Sequence, residues 1–110
     1  MNKTLETEVT QLHAEVCAGL ADPTRIMILY TLSQGVRNVT ELCNELDLPQ
    51  PLISRHLKVL RERGMVTAKR LGTIIEYAIA DDRLIQALDL LRAVMRNGLS
   101  RRAELMEAIQ

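Results

Sequence analysis

Apolar residues along this chain recur mostly at the three- and four-residue spacing of helices, with one later stretch that alternates at two. Leu5, Val9, Leu12, Val16 and Leu20 mark a first amphipathic helix from about Leu5 to Ala18. Asp22-Pro23 supplies an N-cap followed by proline at the first helical position. The second helix then runs from Pro23 to Ser33, carries Ile26, Ile28, Leu29 and Leu32, and stops at Gly35. Asn38-Val-Thr-Glu41 has capping-box spacing and opens a short third helix, roughly Val39 to Leu46. After the turn Asp47-Leu-Pro49, a fourth helix begins near Gln50, tolerates Pro51 in its first turn and ends at Gly64.

Two strands follow, about Met65 to Arg70 and Thr73 to Ile79, with Gly72 as turn punctuation. Ile75, Tyr77 and Ile79 fall on one face of the second. Asp81 or Asp82 caps a long fifth helix whose apolar stripe is Leu84, Leu88, Leu91 and Met95, with Ile85 and Val94 beside it. Asn97-Gly98 is expected to break or kink that helix, leaving a short sixth one capped by Ser100 and ending near Ile109. With no repeat, low-complexity segment or linker, residues 1–110 form a single domain. It is mainly α with a small β-hairpin, in the order of a winged helix-turn-helix.

Composition sharpens this picture in two ways. The chain has no Trp or Phe and only Tyr30 and Tyr77, so the core is built from Leu, Ile, Val, Met and Ala, with Met27, Met65, Met95 and Met106 as filler. A domain of this size buries a modest share of its surface, and the spare apolar faces of the two end helices imply a dimer. No apolar run approaches a membrane span, and no signal peptide is evident, so a cytoplasmic protein with reduced Cys17 and Cys43 is expected.

Net charge is zero, but the charge is unevenly placed. Between Gln50 and Thr73, Arg55, Lys58, Arg61, Arg63, Lys69 and Arg70 stand against Glu62 alone, a local charge of +5 balanced by −5 elsewhere. Such a segment is an electrostatic footprint for nucleic acid. On the fourth helix, Ile53, Leu57 and Leu60 face inward, while Gln50, Ser54, Lys58 and Arg61 form another stripe flanked by Arg55 and His56. Gln suits adenine, Arg and Lys suit guanine, and Ser suits base edges or phosphate. Gln50, Ser54, Arg55 and His56 are therefore expected at base edges, and Lys58 and Arg61 on the backbone. Lys69, Arg70 and Thr73 at the hairpin tip are expected against phosphate or the minor groove. His56 read alone fits a packing or hydrogen-bonding histidine better than a base reader. A protein-interaction module is the rival reading. An enzyme is disfavoured, because the chain has no phosphate-binding Gly-rich loop, nucleophile elbow or paired histidines.

Three runs carry a resemblance: Leu20-Ala-Asp-Pro-Thr-Arg-Ile26, Val39-x-x-Leu42-Cys-x-x-Leu46, and Pro49-Gln-Pro-Leu-Ile-Ser-Arg-His-Leu-Lys-Val-Leu-Arg-Glu-Arg-Gly64. Together they resemble the ArsR-type winged-helix repressors over about Val16 to Leu91. The resemblance implies a homodimer, sealed by the first and fifth helices, that sits on a near-palindromic operator until an inducer releases it. The family's inducer sites are not matched. The zinc-type site needs histidine in the fifth helix, which here offers Asp81, Asp82 and Asp89 but no histidine. The arsenic-type Cys-x-Cys-x-x-Cys positions are Asn38, Thr40 and Cys43, and the persulfide-type cysteine of the second helix is replaced by Tyr30. His13, Cys17 and Cys43 remain. They could hold a thiophilic ion such as zinc, copper(I) or arsenite, Cys17 and Cys43 could be a redox pair, or the thiols could be packing residues. A constitutive regulator without a thiol-based inducer is the alternative.

Overall fold

A computed structural model describes residues 2–109. The N-terminal helix has three parts: α1 (Lys3–Gln11), a π-wound segment (Leu12–Cys17) and α2 (Ala18–Leu20). In the π segment the Ala18 N–H donates to the His13 carbonyl, five residues back. The single α-helix expected here therefore contains one wide turn, which heptad-like spacing does not encode.

The caps read from sequence for the second and third helices are in place. Asp22 accepts from the Thr24 N–H at 2.8 Å and starts α3 (Pro23–Ser33). Asn38 and Glu41 exchange reciprocal bonds of 2.9 and 3.0 Å and start α4 (Val39–Leu46). The helix ends at Asp47, in the left-handed region at φ 53°, and the Leu48 N–H donates to the Cys43 carbonyl. The next helix, α5 (Gln50–Glu62), closes with Gly64 at φ 73°. There the Gly64 and Met65 N–H groups donate to Arg61 and Leu60, satisfying carbonyls that a helix end leaves free.

The wing is β2 (Val66–Leu71) and β3 (Ile74–Ile79), joined at Gly72. Its first strand begins one residue later than expected because Met65 belongs to the α5 cap. A further strand, β1 (Arg37–Asn38), pairs antiparallel with β3, giving the order β1-β3-β2. Two residues carry no periodicity, so β1 has no sequence signature.

The last helix, α6 (Arg83–Ile109), is continuous for 27 residues. The expected break at Asn97-Gly98 and the separate helix capped by Ser100 do not occur. A glycine inside a helix costs only about 0.5–1 kcal/mol relative to Ala, too little to interrupt so long an element. At its start the Arg83 guanidinium and backbone N–H hold the Asp81 carboxyl down at about 2.

The core joins Ile28, Leu29 and Leu32 of α3 to Leu42 of α4 and to Ile53, Leu57 and Leu60 of α5, with Met65, Val66 and Leu88 completing it. Each such aliphatic side chain contributes roughly 1.5–3 kcal/mol through burial. Met65 is the one expected filler methionine found there; Met27, Met95 and Met106 are more than half exposed. Leu88 is 6% exposed and packs within its own chain, whereas Leu91 is 62% exposed. The stripe read as one seam is thus split between an internal face and an open one. Leu5, Val9 and Leu12 from α1 and its π segment and Leu90, Leu91, Val94 and Met95 from α6 remain open. On the inner side, the Tyr30 hydroxyl donates to Asp89 at 2.7 Å and Arg92 lies over the Tyr30 ring, tying α6 to α3. None of the described helices is long and apolar enough to cross a membrane.

Candidate nucleic-acid interface

The two faces of α5 separate by helical period. Ile53, His56, Leu57 and Leu60 are buried, and Gln50, Arg55, Lys58 and Arg61 are exposed. Ser54 is half-buried at the edge, where its hydroxyl accepts from Gln50 Nε2 at 2.7 Å. That bond uses one amide hydrogen and leaves Oε1 and the second N–H of the exposed Gln50 available to another partner. An acceptor beside a donor is the pair that matches N6 and N7 of adenine.

The placement of His56 corrects an expectation. Its ring points into the protein, with Nδ1 3.2 Å from Arg25 Nη1 and Nε2 3.9 Å from Asp22 Oδ1. It cannot reach a base edge without leaving the core. Its spacing from Ile53, Leu57 and Leu60 was the available signal, and its polar character obscured it. Burial alone would raise the Asp22 carboxyl. The Thr24 and Arg25 N–H groups, with the His56 and Arg25 charges, outweigh burial and hold it below the ordinary range.

The wing divides its two basic residues. Arg70 pairs in register with Ile75, and Lys69 with Glu76, so the two side chains stand on opposite faces of the ribbon. Arg70 and Arg61 line one cleft of about 150 Å³ together with Ala68 and Ile75. Basic residues from the helix end and from the wing therefore border the same cleft. Thr73 lines a different cleft with Asn38 and Thr40 at the start of α4. Arg63, counted in the basic run, turns away from this face and binds the N-terminal helix.

The thiols lie elsewhere. Cys17 is exposed at the end of the π segment, beside an apolar cavity of about 320 Å³ lined by Leu20, Ile26, Leu91 and Met95. Cys43 is half-buried and packs on the core from α4. Both are free thiols, so no Cys17–Cys43 disulfide is present. Among the described residues of one chain, no group of three or more His, Cys, Asp or Glu is placed to hold a metal ion, so His13, Cys17 and Cys43 do not form the expected ligand set within a protomer.

Known proteins share this arrangement. Residues 22–68, from the α3 cap into the wing, match the family described as bacterial regulatory protein, arsR family. The chain is 42% identical over 77 residues to the HTH-type transcriptional repressor SmtB of Mycobacterium tuberculosis, an alignment that covers 70% of this chain. The chain belongs to the ArsR family. It spans 57% of the length of that repressor. Among solved structures, M. tuberculosis Rv0081 superposes with a TM-score of 0.77 at 36% identity, covering 86% of this ArsR-family chain and 96% of the other. The homodimeric winged helix-turn-helix DNA-binding domain of Mycobacterium bovis Mb0332, described as a possible ArsR-family regulator, superposes at 0.76 with 28% identity, covering 92% of this chain and 93% of that one. The fold of this ArsR-family protein is therefore a winged helix-turn-helix, and its relatives are DNA-binding transcriptional regulators.

Proposed function

We propose that this chain is a homodimeric, sequence-specific transcriptional repressor that grips operator DNA with α5 and the β2–β3 wing. The observation that carries the reading is the cleft shared by Arg61 and Arg70 beside the exposed face of α5. A phosphate can enter between two guanidinium groups and accept from both. Gln50 and Arg55 are assigned to base edges, Ser54 to orienting Gln50, and Lys58 with Arg61 and Arg70 to the backbone. His56 is left out of the contact set because it is buried. The homodimer is supported by the open apolar faces of α1 and α6 and by the homodimeric state of Mb0332. The proposal includes no ion-sensing role for His13, Cys17 and Cys43, which one chain does not bring into a ligand group.

The test is a mobility-shift titration on the DNA upstream of the protein's own gene, set against random duplex. Gln50→Ala and Arg55→Ala are each expected to cost roughly 1–3 kcal/mol on the specific site and to relax preference at one base pair per half-site. Full discrimination by both variants would show that α5 is not the reader.

The wing separates by its own measurement. Arg70→Ala is expected to flatten the slope of log affinity against log salt by roughly 0.9 for each lost phosphate contact, two in a dimer. Lys69→Ala, on the opposite face beside Glu76, is expected to change the slope less. Equal slopes for Arg70→Ala and the parent would place the cleft off the DNA.

A further inference from the structure

Two arginines grip the last turns of the N-terminal helix, and both connect it to α5. Arg63, just past the end of α5, donates through Nη1 to the carbonyls of Ala14 at 2.5 Å and Glu15 at 3.0 Å. Both carbonyls lie within the π segment. Arg25, in the first turn of α3, donates from Nε to the Gly19 carbonyl at 2.6 Å and from Nη2 to that of Ala18 at 3.4 Å. Its remaining arm, Nη1, meets His56 Nδ1 on α5 at 3.2 Å. A guanidinium carries donors only, so this arm is aimed at the Nδ1 edge of the ring, while Nε2 lies toward Asp22.

Four carbonyls near the end of one helix are thus bound by side chains that also fix α5. Cations suit that end, because it carries the negative pole of the helix dipole. The approach is close as well. A Cβ on Gly19 would overlap Met65 Cε and Arg63 Cδ, so a larger residue there would require those side chains to shift. The two attachment points on α5, His56 and Arg63, are about two turns apart at 3.6 residues per turn. A single tie would leave a pivot, whereas two fix both a position and an angle.

We infer that Arg25 and Arg63 are positioning residues for DNA recognition, which set the angle between the N-terminal helix and α5 and thereby the separation of the two recognition helices in the dimer. The inference rests on the proposed function. The N-terminal helix contributes the open apolar residues Leu5, Val9 and Leu12 to the dimer face, and α5 carries the base-reading groups. Whatever joins these two helices determines which half-site spacing the dimer accepts. Neither arginine needs to touch DNA to do this.

The experiment uses the full chain and a duplex that the wild type enriches from a random-sequence pool. Affinity is measured on that duplex and on versions with one base pair added or removed between the half-sites. The wild type is expected to lose roughly tenfold or more on either change, the size of a mismatched contact. Arg25→Lys and Arg63→Gln are expected to bind the original duplex more weakly, to distinguish the three spacings by less than about threefold, and to keep the wild-type salt slope. Helical content and dimeric mass are followed for both; if Arg25→Lys does not fold, the more peripheral Arg63→Gln carries the comparison. Wild-type spacing preference in folded variants overturns the inference alone. So does a salt slope lowered by roughly 0.9 per lost contact in Arg63→Gln, which would make Arg63 a phosphate ligand. Failure of the wild type to enrich any duplex overturns the proposed function, and this inference with it.

Discussion

Leu88→Asp is expected to unfold the protomer rather than merely separate two protomers. Leu88 is 6% exposed and packs with the buried cluster of α3, α5 and the start of the wing. Removing a buried leucine side chain costs about 2–5 kcal/mol. An unpaired carboxylate left in the same place adds several more. A small domain has roughly 5–15 kcal/mol in total, so the combined loss removes most or all of its stability. Far-UV circular dichroism should show the helical signal collapse. Leu88→Met, which nearly conserves volume, should cost less than about 1.5 kcal/mol and retain the fold. A folded, helical Leu88→Asp protein would show that α6 is not anchored on the core through this residue.

Three residues further along the same helix the expected outcome reverses. Leu91→Asp combined with Met95→Asp should leave a folded monomer. These side chains are 62% and 58% exposed within the protomer, so a lone chain loses little when they become polar. In a dimer sealed by the open faces of α1 and α6, the change would bring carboxylates together in an apolar seam, where they cannot stay charged cheaply. Sedimentation should then report a single-chain mass with helical content preserved. Operator affinity should fall by about 10²–10⁴, because the second half-site is no longer bound intramolecularly. A variant that remains dimeric at micromolar concentration would place the dimer contact elsewhere on the molecule.

The contrast between Leu88 and Leu91 shows where reading a sequence stops. Both belong to one apolar stripe at three-residue spacing, and periodicity assigns them to one face. Which part of that face meets the chain's own core, and which stays open, depends on how far α3 and the wing extend along α6. His56 is a similar case. Its spacing placed it with Ile53, Leu57 and Leu60, but a polar ring on a basic helix suggested DNA until Arg25 and Asp22 supplied partners from 31 and 34 residues away. Arg63 looked like part of the footprint by charge, and its carbonyl acceptors lie 48 and 49 residues earlier.

By itself the sequence determined the features whose causes are local. Asp22 and Asn38 cap helices because a short acceptor side chain can reach backbone N–H groups two or three residues ahead. Gly64 ends α5 because a left-handed residue is needed there. The inward face of α5, the hairpin turn at Gly72 and the gathering of positive charge from Arg55 to Arg70 follow from spacing and composition alone. Tertiary structure decided what depends on partners distant in the chain: the wide turn at Leu12–Cys17, the continuity of α6 through Gly98, the opposite outlook of Lys69 and Arg70, and the two arginine ties between the first helix and α5. Local preferences of about a kilocalorie per residue set where elements begin and end. Side-chain direction and long-range pairing are set by burial and hydrogen-bond satisfaction, which become defined only once the elements have packed.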